Sequence, residues 1–175
     1  MTEESPWTSF DIAINLIILF ISIGLSTFML VLKALWIYLV LYYLCWGLYI
    51  IVGRYVTCRH CDFLGKPCPS WCMGIIAGKL YKRSNKPNFC ADGGFLTALL
   101  FDISFLLIAV LIPLIAYVLE ALTGILQPLE WVLLAIYLIV ALLMIITHSL
   151  TGCKKCPIAD CPMSGHHKRQ KEAPL

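Results

Sequence analysis

Charge is scarce in this chain. Of 175 residues, 13 are basic and 10 acidic, so charged residues make up 13%. A soluble domain carries about 25%, and a water-soluble globular fold is therefore excluded. No glycine-rich phosphate loop is present, which removes nucleotide binding of the familiar kinds. No Ser-His-Asp or Cys-His arrangement stands at a catalytic spacing, and no apolar run holds a pair of histidines of the sort that ligate haem. Basic patches interleaved with stacking aromatics are missing, so no nucleic-acid partner is expected. The acidic start, Met1 to Trp7, lacks a basic region and a small-residue cleavage site, and no cleaved signal peptide is expected. Apolar–polar strand alternation is absent as well.

What remains is mostly hydrocarbon-soluble: 61% of residues are hydrophobic and the mean hydropathy is +0.88. Four apolar runs, about 12–32, 34–52, 95–119 and 129–150, are each long enough to cross a bilayer as a helix. Lipid offers the backbone no hydrogen bonds, so helices are the only structure that satisfies these segments. Only Lys33 separates the first two runs. Read as one helix they would be about 60 Å long, twice the hydrocarbon thickness, so a tight hairpin near Val31 to Leu35 is expected. Glu120, Thr123-Gly124, Gln127-Pro128 and Glu130 mark the turn between the last two runs. The expected fold is an all-α membrane protein, a single membrane domain of four transmembrane helices.

Twelve of the thirteen basic residues fall in the 53–94 loop and the 151–175 tail, and only Lys33 lies at the other ends of the helices. The positive-inside rule makes the loop, the tail and both termini cytoplasmic. These charges also suit anionic lipid headgroups.

Eight of the nine cysteines lie in those same two stretches. The loop holds Cys58-x2-Cys61-x6-Cys68-x3-Cys72 and then Cys90, and the tail holds Cys153-x2-Cys156-x4-Cys161. On a reducing face, clustered cysteines point to metal or catalysis rather than disulfides. Two cysteines with two residues between them can place both sulfurs on one ion, the recurring half-site of zinc and iron–sulfur proteins. Several groupings are possible. Cys58, Cys61, Cys68 and Cys72 could form one site, with Cys153, Cys156 and Cys161 completed by Cys90, His148, His166 or His167. Alternatively Cys58/Cys61 and Cys153/Cys156 could share one ion, leaving Cys68, Cys72, Cys90 and Cys161 for a second; His60 is a further imidazole in the loop. Three Cys-Pro steps, at Cys68, Cys156 and Cys161, tilt the reading from zinc towards iron–sulfur. Cys45, inside the second run, suits the role of a small buried hydrophobe.

Other residues carry weaker signals. Asp102 is an intramembrane carboxylate, read here as a residue that pairs or hydrates near Asn15 or Ser104. Pro113 interrupts the third helix. Trp36, Tyr38, Tyr42, Tyr43, Trp46 and Tyr49 crowd the second run and are expected to pack and anchor. Met73 to Lys82, with Gly74 and Gly78 four apart, reads as a short amphipathic helix holding the cysteine loop against the bilayer.

The layout resembles the Asp-His-His-Cys palmitoyltransferases, with a cysteine-rich loop between the second and third of four spans. The chain lacks that tetrapeptide, and His60 is the loop's single histidine. It also resembles small disulfide-generating membrane oxidases in its Cys-x2-Cys pairs, although theirs work on the outer side. The expected function is a non-catalytic or electron-transfer subunit of a membrane redox complex. A cysteine-rich cytoplasmic cap, formed by the helix 2–3 loop and the tail, would carry one or two iron–sulfur clusters and dock other redox subunits. Alternatives are a scaffold or assembly protein with structural zinc and a membrane thiol oxidoreductase.

Overall fold

The computed structural model describes residues 6–85, 96–97, 99–124 and 126–157. They are helical, with no strand among the described residues, and four helices are long and apolar enough to cross a membrane.

Helix α1 spans Ser9–Leu32 and opens with a capping box, in which Thr8 and Asp11 each satisfy the other's backbone N–H. The hairpin turn at Lys33 and Ala34 uses Ala34 at φ 52°, a left-handed residue that no glycine or proline announces. Helix α2 begins at Trp36–Leu48 and continues through a π-helical turn, Tyr49–Gly53, and shorter turns as far as His60. Helix α3 is the short Met73–Leu80. Helix α4, Ser104–Leu122, follows a π-helical turn at Leu99–Ile103 and runs through Pro113. Helix α5, Pro128–Thr147, starts with proline at its first position and a Gln127/Glu130 capping box, and a third π-helical turn extends it over His148–Cys153.

The packing is most extensive between α1 and α5 and between α2 and α4. Both pairs are antiparallel. Lys33 at the end of α1 bridges Glu130 at the start of α5 (2.8 Å), and Asp11 at the other end of α1 meets Lys155 beyond α5 (2.7 Å). The three described π-helical turns and both described cysteine stretches consequently lie at one end of the bundle.

Lipid is as apolar as leucine, so helix association there relies on close packing and interhelical hydrogen bonds. Large side chains such as Phe10, Phe20, Ile37, Leu129 and Ile139 face outward. The interior mixes apolar side chains such as Met29, Leu30 and Met144 with tyrosines. The Tyr117 hydroxyl donates to the Met29 carbonyl (2.8 Å) and the Tyr137 hydroxyl to the Val110 carbonyl (2.7 Å), joining α4 to α1 and α5 to α4. Tyr42 and Tyr137 both reach Ser26, which itself donates to the Ser22 carbonyl (2.7 Å). The small buried face of α4, with Ala109 and Ala116, admits the bulk of Tyr42 and Trp46. Replacing Tyr117 with phenylalanine should lower resistance to unfolding in dodecyl sulfate by about 0.6–1 kcal/mol, the ordinary size of an interhelical hydrogen bond in a bilayer. An unchanged unfolding midpoint would show that this bond adds nothing.

Candidate metal centre

Helicity beyond the apolar run determines where the first thiols sit. Arg54–Thr57 completes a further turn of α2, and Cys58–His60 tightens it. The Cys61 N–H then donates to the Cys58 carbonyl (3.0 Å), which folds the first Cys-x2-Cys into a compact knuckle. The second makes the same turn, with the Cys156 N–H on the Cys153 carbonyl (3.2 Å). Between Cys68 and Cys72 the chain doubles back: the Cys72 N–H meets the Cys68 carbonyl (3.0 Å), and Trp71 and Cys72 both take left-handed conformations at φ 52° and 56°. For a bulky residue such as Trp71 that conformation is uncommon. Its buried indole, packed on Trp46, Tyr49 and His148, holds it there.

Helix α3 closes over the loop through its glycines. Gly65 donates its N–H to the Gly74 carbonyl (2.9 Å), and the Gly74 N–H points at Cys68 Sγ (3.3 Å). A Cβ at Gly78 would come within 2.5 Å of Gly65 Cα, so a side chain there would push two backbones apart. Helix α3 thus uses its small face to seal the cysteine loop against the protein.

The tail is fastened at three points. The Trp7 indole N–H donates to the Gly152 carbonyl (3.3 Å), Asn15 Nδ2 to Thr151 Oγ1 (2.6 Å), and Lys155 Nζ to both Asp11 oxygens (2.8 and 2.7 Å). Asn15 also reaches the Asp11 carbonyl (2.7 Å). Trp7, Phe63 and Cys68 form a small buried cluster against which Cys61 and Cys156 pack, with Trp7 edge-on to Phe63 at 4.8 Å.

Cys61 and Cys156 pack against the Trp7–Phe63–Cys68 cluster, and Cys58 shares a turn with Cys61. Burial pushes the Cys61 thiol up to about 12; the Phe63 N–H opposes this, and the adjacent Cys58, Cys156 and Cys68 add to it. Burial likewise raises Cys68 to about 11, opposed by the N–H groups of Gly74 and Ser70 and by Arg54, with Cys58 raising it further. These four draw on both sequence groups. Cys72 and Cys153 are half-buried, and Cys45 is half-buried within α2. Cys90, Cys161, His166 and His167 lie outside the described residues. Among the described residues, no three His, Cys, Asp or Glu side chains close around a common point tightly enough to hold an ion as they stand.

The two described histidines lie near the cysteine stretches, and the buried Nδ1 of His148 has no hydrogen-bond partner among the described residues. His60 Nδ1 pairs with the Ser84 hydroxyl, and His148 is tilted on Trp71 with ring centroids 5.2 Å apart. The structure adds a residue that cysteine spacing does not reveal. Arg54 is only 3% exposed; its Nη1 is directed at Cys58 Sγ (3.9 Å), and its guanidinium lies 4.3 Å from the centre of the Tyr49 ring. The one available signal was its position four residues before Cys58 on a helix, where two side chains share a face.

From this end a column of rings enters the bundle. Trp71 lies 5.7 Å from Tyr49 and 6.2 Å from Trp46, and Trp46 lies 6.3 Å from Tyr42. Comparison with family models, with curated proteins and with solved structures gives no match.

Donor chemistry suits a thiophilic metal. All four sulfurs can ligate after losing a proton, and backbone N–H groups already point at two of them, Cys61 and Cys68. Such N–H···S contacts favour the anionic thiolate and tune metal–sulfur centres.

Proposed function

We propose that this protein is an integral membrane subunit whose Cys58, Cys61, Cys68 and Cys156 hold one metal centre, an iron–sulfur cluster, at the cytoplasmic face. The observation that carries the reading is the packing of Cys61 from the loop knuckle and Cys156 from the tail on the buried Trp7–Phe63–Cys68 cluster. The cytoplasmic assignment rests on charge. Arg54, Arg59, Lys66, Lys79, Lys82, Arg83, Lys154 and Lys155 accompany the cysteine stretches, whereas Lys33 at the far end is ion-paired with Glu130.

Two features support electron transfer over a purely structural ion. The column Trp71–Tyr49–Trp46–Tyr42 runs from beside the thiols into the membrane interior, with ring centroids 5.7, 5.6 and 6.3 Å apart in turn. Buried N–H groups and a guanidinium surround the sulfurs, and these are the levers by which a protein sets a cluster's potential. The chain would then anchor and wire other redox subunits. A structural zinc ion is the second reading, favoured by a single four-thiol set that ties the tail to the loop.

Protein purified without oxygen should contain iron and acid-labile sulfide and absorb in the visible through sulfur-to-iron charge transfer. Colourless protein with one zinc per chain would replace the first reading with the second. Protein free of both metals would sink the proposal.

A further inference from the structure

Helix α3 has two faces. Met73, Gly74 and Ala77 are turned inward, while Ile76, Lys79 and Leu80 are exposed. Its end is fixed in depth. The Tyr81 hydroxyl donates to the Ile51 carbonyl (2.8 Å), and the Tyr81 ring meets Tyr55 edge-on at 5.3 Å. Ile51 is 57% exposed and lies in the long α2 helix, one residue before its apolar run ends at Val52. The bond therefore holds the end of α3 beside the last outward-facing apolar turn of α2, where hydrocarbon gives way to headgroups. Tyr55 and Tyr81 are the residue type that settles at that boundary. Ile76 and Leu80 add an apolar strip of the kind that amphipathic helices bury there.

The charge beside this strip is positive. Lys79 and Lys82 are exposed and pair with no carboxylate among the described residues. Asp62, three residues beyond Arg59, is taken up by Arg83. The Arg59 guanidinium lies 4.5 Å from the centre of the Tyr55 ring and donates to the Tyr55 hydroxyl, so Arg59, Tyr55 and Tyr81 form one continuous wall. We infer that α3 and this wall bind one anionic phospholipid, with its chains on Ile76, Leu80 and Ile51 and its phosphate held by Lys79, Lys82 and Arg59. A zwitterionic lipid carries its own ammonium beside the phosphate, which the lysines repel, whereas an anionic headgroup satisfies them. The site is narrower than the general attraction of a basic face for anionic lipid, because it commits three named cations to one apolar strip. It is independent of any metal at the cysteines.

The probe is phosphatidylglycerol, with phosphatidylcholine of the same chains as reference, titrated onto delipidated full-length protein in detergent and counted by native mass spectrometry. Wild type should hold one phosphatidylglycerol at least tenfold more tightly than phosphatidylcholine. Each lysine at such a surface is worth about fivefold. Lys79→Gln combined with Lys82→Gln should therefore weaken phosphatidylglycerol about twentyfold and leave phosphatidylcholine unchanged. Lys154→Gln removes an exposed charge of the tail at the same end of the bundle, and it should stay within about twofold of wild type. Arg59 is left intact because it shares a turn with Cys58. Leu80→Ser should weaken both lipids, since the strip holds the chains. Equal affinity of wild type for the two lipids would overturn the proposal. So would an equal loss in Lys154→Gln, which would reduce the site to general surface charge. Displacement of the lipid by equimolar glycerol phosphate would mark a phosphate site without chains, and displacement by polyglutamate would reassign the surface to an acidic protein; either result overturns the lipid assignment.

Discussion

Cys156→Ser should empty the centre. The affinity of the full-length protein for cobalt or zinc should fall at least a hundredfold, with loss of the thiolate bands. Cys153→Ser should leave affinity within about threefold of wild type. The two residues lie in one Cys-x2-Cys turn, so a general effect on the tail would strike both. Cys156 packs against the Trp7, Phe63 and Cys68 cluster. Structural zinc in small thiol sites contributes about 10–16 kcal/mol of apparent binding energy at neutral pH, and one ligand in four carries a large share of it. Retained bands in Cys156→Ser together with lost bands in Cys72→Ser would mean that the loop closes its site alone, and the four-thiol set would be wrong.

The second large effect concerns the seal over the thiols. Gly74→Ala introduces a Cβ 2.6 Å from the Lys66 carbonyl oxygen, 3.0 Å from that of Phe63 and 3.3 Å from Cys68 Sγ. Two of these neighbours are backbone, so helix α3 must lift or the loop must move. Overpacking of this sort typically costs 1–3 kcal/mol, and here it also strains the N–H···S contact to Cys68. Gly74→Ala should therefore expose Cys68 and Cys61 to alkylation at least tenfold faster in metal-free protein. Gly24→Ala and Gly47→Ala are the controls, because a Cβ at either meets nothing within 4 Å. Equal alkylation rates in all of these variants would show that α3 does not guard the thiols.

Hydropathy made the four long helices legible, because lipid exposure leaves an unbroken apolar record along each run. The hairpin at Lys33 was legible from length alone. Its turn was not, since Ala34 adopts a left-handed conformation with no glycine to betray it. The second apolar run ends at Val52, yet the helix continues to His60. Residues such as Arg54, Thr57 and Arg59 carry no apolar signal, and a polar helical extension reads in sequence like the start of a loop. That extension is what delivers Arg54 and Cys58 to the same place.

The cysteines were visible as donors from composition and spacing, while their grouping depended on contacts that spacing does not encode. The Trp7–Phe63 pair and the Asp11–Lys155 bridge bring Cys156 to the loop, and both join residues far apart in the chain. Of the aromatic run in α2, Tyr42, Trp46 and Tyr49 recur at helical spacing and turn inward, whereas Trp36 and Tyr43 face outward. That division follows from period, and the column it builds with Trp71 does not, because Trp71 arrives from the loop.

The split origin of the four thiols also bears on biogenesis. Cys58 lies in the last turn of the second long helix, Cys61 and Cys68 follow it, and Cys156 comes after the fourth. A chain whose last helix has not yet entered the bilayer presents three sulfurs and an incomplete site. Under the proposed four-thiol centre, metal capture would wait for the last helix, and a loaded centre would report a complete bundle.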